Sequence, residues 1–350
     1  MERLKKKLIT MTEVVGKRFE GRIEHYILSD QLYSEEMSKV LERKYDDGLI
    51  YSPKFALFRA NLINFGFSRG TERDFLAFCD HIKCIELYKI QQRTLFLCDF
   101  IHVDTDKCSY KEFIESLEKG EPMVLASYHY SNYKALVHYL LTLNVDLFII
   151  AGSRQKLNLE DEALDLAYMY RTVLGHTSSI TFITAEDKTS LVQVHQALKN
   201  QGTRPKILLI YIDGNIGQSG HQLKNGSYKF KGVDVSMREG LNILLAILRL
   251  PVFSVYMEDR ESEIKIVFSN SYTAGAGVRD IISPLLEELE SIVSTKDFFK
   301  WECLMYLHHW ISNRASLPSL KSDEDKRIRV LSLGEWFYLD TYKYVYVQEK

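Results

Sequence analysis

Between Met123 and Met257 short apolar runs of β type alternate with stretches of helical periodicity. The runs are MVLASY (123–128), DLFIIAG (146–152), SITFIT (179–184), KILLIYID (206–213) and PVFSVYM (251–257). Between them lie predicted helices at Lys134–Leu143, Leu159–Tyr170, Ser190–Lys199 and Arg238–Arg249. Strands separated by helices of roughly 10–15 residues indicate βαβ units. The expected fold class is therefore α/β, a mainly parallel central sheet flanked by helices. Ile264–Phe268 reads as one more strand, and Val278–Thr295 and Phe298–Ile311 as closing helices. Residues 1–100 read as helical, with helical spacing of apolar residues over Phe55–Phe65. Residues 316–327 read as a polar linker, and the tail EWFYLDTYKYVYVQE as an added strand. The expected organisation is an N-terminal helical segment (1–50), an α/β domain (51–315), and a linker with an aromatic extension (316–350).

Composition narrows the function classes. The 350 residues include 45 basic and 47 acidic side chains, a net charge of −2, and 46% are hydrophobic. That is globular composition, and it argues against a non-specific nucleic-acid binder, which needs a net basic surface. The most apolar stretch, Leu241–Met257, is broken by Arg249 and Pro251, so no spanning helix is expected. The basic N-terminus lacks the apolar core of a secretory signal, and at most it would lie on an anionic membrane surface. Cys79, Cys84, Cys98, Cys108 and Cys303 have no metal-like spacing and read as reduced thiols. These observations together lead us to expect a cytoplasmic protein, with at most peripheral contact at the inner membrane, and no metal site.

Ligands of parallel α/β sheets sit beyond the carboxyl ends of the strands. Three polar clusters fall there: Tyr128–Asn132 after the first run, Ser153–Arg154 after the second, and Asp213–Asn215 after the fourth. His129, Arg154 and Asp213 thus form a candidate site on topology. Each also has an ordinary structural reading: a satisfied core histidine, a surface cation and a turn or cap residue.

The ordered set of motifs resembles the lysophospholipid-acyltransferase-like superfamily, and within it the bacterial lipid A late (lauroyl/myristoyl) acyltransferases. An Arg-x-Asn-Leu segment appears as Arg59-Ala60-Asn61-Leu62, followed by Phe65-Gly66. The family's Gly-His-Phe-Gly-Asn-Trp-Glu type motif is matched by Tyr128-His129-Tyr130-Ser131-Asn132-Tyr133-Lys134. A Tyr-Arg-Pro strand end is matched at Gly152-Ser153-Arg154, and an Asp-Gln element followed by Gly at Asp213-Gly214-Asn215-Ile216-Gly217. Further matches are Phe230-Lys231-Gly232, Gly240, Leu245-Ala246, Pro251–Val255, and Trp301 with Tyr306-Leu307-His308-His309-Trp310. The likeness covers roughly residues 50–315. It departs at Lys134, where the family has Asp or Glu, and in the family's membrane anchor, which has no counterpart here.

The resemblance implies transfer of a fatty acyl group to a hydroxyl or amine. The donor would be acyl-CoA or the phosphopantetheine thioester of an acyl carrier protein, with no other cofactor. His129 would act as general base. The family carboxylate would hold the other ring nitrogen, a bond that a protonated Lys134 cannot accept. Asp213 or another carboxylate would then replace it, or Lys134 would bind an anionic group, or the site would bind acyl chains or a carrier protein as a scaffold without turnover. Ser131, Asn132, Lys134 and Arg154 are the expected substrate-binding residues, Arg154 through a phosphate. Backbone N–H groups opening the helix after His129 are expected to hold the oxyanion. A soluble or membrane-surface acceptor is implied by the missing anchor.

Overall fold

The computed structural model describes residues 51–349 except 68–69, 92–100, 153–158, 160–165, 169, 172–174, 185–188, 200–201, 215–224, 261–262, 274–279, 295–296 and 320–322. The expected N-terminal segment 1–50, Cys98, Arg154 and most of the helix expected at 159–170 fall outside that set.

The first elements are helices α1 (Pro53–Asn64) and α2 (Glu72–Gln91). Ser52 starts α1 by accepting from the Phe55 N–H, with Pro53 in the first turn, where its missing N–H costs nothing. Next come β1 (Ile101–Val103), α3 (Cys108–Glu118), β2 (Met123–Ser127), α4 (Ala135–Thr142), β3 (Asp146–Ala151) and β4 (Ser179–Thr184). They are followed by α5 (Ser190–Lys199), β5 (Lys206–Tyr211), β6 (Asn225–Phe230), β7 (Val233–Arg238), α6 (Gly240–Leu248), β8 (Pro251–Arg260), β9 (Glu263–Thr273) and α7 (Ile282–Val293). After 3-10 turns between Phe298 and Ser316, the chain ends in α8 (Asp323–Lys326), β10 (Arg327–Ser332), β11 (Glu335–Asp340) and β12 (Val345–Gln348).

Seven strands form one sheet in the order β1-β9-β8-β2-β5-β3-β4. β8, β2, β5, β3 and β4 run parallel, while β9 pairs antiparallel with β8 and parallel with β1. The α/β expectation therefore holds, as a mixed sheet. Both faces are covered, as the continuous apolar strands require. Val124, Ala126, Leu208 and Ile210 enter one core with Phe58, Leu245, Leu285 and Trp301. Met123, Leu125, Ile207 and Leu209 alternate into the other, with Phe113, Leu136 and Leu140.

Three expectations need correction. Phe298–Ile311 is not an α-helix: Phe298–Lys300 and Glu302–His309 are 3-10 turns, with an extended Trp301 between them. The tail read as one added strand holds two, β11 and β12, which with β10 form their own antiparallel meander. Ile328, Val330 and Leu339 bury one side of this meander against Ala56 and Ala60 of α1, which is small enough to let the strands approach. The β6–β7 hairpin lies where the sequence reading placed no element.

Among the described residues no helix is long and apolar enough to cross a membrane. At the amino-terminal edge of the sheet a cavity of about 490 Å³ includes Lys199, Arg204 and Lys206 in its lining. Two of these cations serve the fold: Arg204 binds Asp146 and Thr177, and Lys206 donates to the Ala197 carbonyl in the last turn of α5.

Candidate active site

Strand register builds the site at the opposite edge. β2 and β5 are parallel neighbours with Ser127 beside Tyr211, and the Ile212 N–H donates to the Ser127 carbonyl just beyond. Two residues further along each strand stand His129 and Asp213. The His129 ring Nδ1 lies 2.8 Å from Asp213 Oδ1. Asp213 Oδ2 accepts from the His129 backbone N–H at 2.8 Å and from the Trp301 indole N–H at 2.8 Å. A carboxylate taking these donors is acceptor-only, so Nδ1 carries the proton and Nε2 is the basic nitrogen of the neutral ring. The Asp213 side chain is fully buried, whereas His129 keeps 23% side-chain exposure.

The ring is held on several sides. Tyr211 lies against it at 4.7 Å between centroids, and Tyr133 meets it edge-on at 4.8 Å. Gly214 approaches so closely that a Cβ there would stand 2.6 Å from His129 Cε1. Behind Asp213, extended Trp301 bridges to Tyr130; the Glu302 N–H donates to the His129 carbonyl and the Ser131 N–H to the Lys300 carbonyl. Trp301 packs on Phe230 and Trp310, and Phe230 also contacts Phe65. Asn61 of α1 donates to the Leu304 carbonyl at 2.7 Å, tying the first helix to this segment. Residues far apart in sequence thus fix one indole against one carboxylate.

Charge follows this geometry. Burial pulls the His129 pKa down, but the charge and hydrogen bond of Asp213 outweigh it, aided by Glu302 and opposed by Lys134, so it stands above its ordinary 6.5. Burial pushes Asp213 up, but the charge and ring hydrogen bond of His129, the Trp301 N–H and the His129 backbone N–H bring it below its ordinary 3.8. The pair's stabilisation is fully present between these two ordinary values. It is lost as pH rises through the raised His129 value, and as pH falls through the depressed Asp213 value. His138 is different in kind: burial pushes it down to about 3, and its Nδ1 lies 3.0 Å from the Tyr170 hydroxyl. It is a neutral core histidine.

Of the expected site residues, His129 and Asp213 meet. Lys134 sits at the start of α4, with its charge acting on His129. Ser131 is buried in the turn after His129, and Asn132 accepts from the Ala135 N–H. Of the N–H groups opening this helix, those of Ala135, Leu136 and Val137 donate to the carbonyls of Asn132, Tyr133 and Lys134, so these three do not face an oxyanion. Gly214 belongs to the Asp213–Asn215 cluster, whereas Trp301, Glu302 and Tyr211 are not among the site residues expected from sequence. The aromatic closing element was the one signal for Trp301.

His129, Asp213 and Cys303 bring ligand-type atoms within 4.8 Å of one another. Their chemistry does not suit a cation. Asp213 is occupied by N–H donors, and the Cys303 Sγ donates to the Asp213 backbone carbonyl, with burial pushing its pKa well up. No protein-family model matches the chain, and no curated protein matches it.

Proposed function

We propose that the protein transfers a fatty acyl group from a thioester, of acyl-CoA or an acyl carrier protein, to a hydroxyl or amine. The observation that carries this reading is the 2.8 Å contact between His129 Nδ1 and buried Asp213. It supplies the carboxylate that Lys134 cannot. A carrier-binding scaffold without turnover has the Lys134 replacement in its favour, but the contact between His129 and Asp213 favours turnover.

In the proposed step, Nε2 of His129 removes the proton of the acceptor hydroxyl or amine as that atom bonds to the thioester carbon. Asp213 stabilises the imidazolium through Nδ1–H and keeps Nε2 aimed. When the tetrahedral species collapses, the carbon–sulfur bond breaks. The imidazolium then returns its proton to the departing thiolate.

The test is mass spectrometry of the purified protein with acyl-CoA, acyl carrier protein and a cell extract. An acylated product whose formation needs His129 supports transfer, and carrier binding without any product rejects it. The pH profile gives a second check. Only neutral His129 acts as base, so kcat/KM should rise with pH along an acid limb centred above 6.5, the ordinary imidazole value. Lys134→Ala removes a charge that opposes protonation and should move that limb further up in pH. If Lys134 also contacts an anionic substrate group, the same variant raises KM more than it lowers kcat. A limb unmoved by the substitution would separate Lys134 from His129.

A further inference from the structure

Two residues beyond His129 the chain passes through the left-handed region, and the residue there is Ser131, at φ 57°. Glycine adopts this conformation without steric penalty, while a residue with a Cβ does not. The motif that the sequence resembles has glycine at this position. Ser131 is also fully buried, and among the described residues its Oγ has no hydrogen-bond partner. A buried hydroxyl left unpaired is a second cost at the same residue. Glycine would remove both. The Ser131 N–H donates to the Lys300 carbonyl at 2.9 Å, which ties the backbone of this turn to the segment before Trp301.

The proposed transfer needs a donor for the oxygen that gains charge when the acceptor attacks. The first-turn N–H groups of α4 are already engaged. Resting on the acyl-transfer reading, we propose that the Ser131 hydroxyl is the side-chain donor to the thioester oxyanion. It is an unsatisfied group in the free protein because its partner exists only during the reaction. As the carbonyl carbon becomes tetrahedral, its oxygen takes the negative charge and the Ser131 O–H donates to it without giving up its proton. When the carbon–sulfur bond breaks, the carbonyl re-forms, the charge passes to the thiolate, and the His129 imidazolium neutralises it. A residue of this kind is tolerated at a structural cost because that cost sits where the chemistry is.

The test is the pair Ser131→Gly and Ser131→Ala, with thiol release from decanoyl-CoA and decanoyl-carrier protein measured in the presence of ethanolamine. Both variants should lower kcat by roughly 100-fold or more, the usual effect of losing one oxyanion donor. KM should stay within about threefold, because the bond forms only in the transition state. Ser131→Gly should meanwhile melt at the wild-type temperature or a few degrees above it, since it relieves the left-handed strain. A glycine variant that keeps kcat within about threefold overturns the proposal, as does one whose lost activity accompanies a lower melting temperature. Wild-type protein inert with both donors, with ethanolamine and with the cell extract alike, instead rejects the acyl-transfer reading, and the Ser131 role with it. An active wild type with an active glycine variant rejects the Ser131 role alone.

Discussion

Replacing His129 with alanine should lower acyl transfer by about 100-fold or more, the ordinary size of a general-base contribution. The loss should appear in kcat and kcat/KM alike, because the proton leaves the acceptor only in the transition state. Asp213→Asn should cost a comparable factor. An amide in that place presents N–H to donors already aimed at it, and it breaks the bond that keeps the proton on Nδ1. The two changes act on one unit, so the double variant should be little slower than the worse single variant. Single-turnover rates for the three proteins check this. Losses that simply multiply would mean that Asp213 acts independently of the imidazole, and full activity in His129→Ala would make the ring structural.

Gly214→Ala should be nearly as damaging, although it touches no proton. Its methyl would stand 2.6 Å from His129 Cε1, and Tyr211 and Tyr133 close the sides toward which the ring would retreat. A displacement of about 1 Å is enough to cost 100-fold when a base must reach one proton. The substitution should also destabilise the fold by roughly 1–3 kcal/mol, the scale of an overpacked site. Turnover measured beside a thermal melt checks both. An alanine variant with wild-type turnover would show that the ring does not need its present position.

The strands of the sheet were legible because their apolar runs are long and bounded by polar turns; β2, β3, β4 and β5 lie within the runs read from sequence, and β8 starts with its run at Pro251 and continues past it to Arg260. The clusters at their carboxyl ends followed from the parallel arrangement. What could not be read was register. His129 and Asp213 are 84 residues apart, and only the alignment of Ser127 beside Tyr211 makes them neighbours rather than residues on one rim. Trp301 was visible as part of an aromatic element, but its extended backbone between two 3-10 turns was not, because that conformation is imposed by its bridge to Tyr130. The tail showed its alternation correctly and hid its partner. Strand periodicity says that a segment pairs, not with what, and β10 and β11 supply an antiparallel neighbour within reach of a short turn.

The indole of Trp301 has a consequence for the timing of synthesis. Its bond to Asp213 is supplied by residue 301, which follows every strand of the seven-stranded sheet in the chain. A nascent chain on the ribosome can hold the imidazole and the carboxylate side by side before this last donor has left the exit tunnel. Until it arrives, the acid is short of one donor and open to water from behind. The carboxylate therefore receives its full set of donors only after the sheet that carries it has been made.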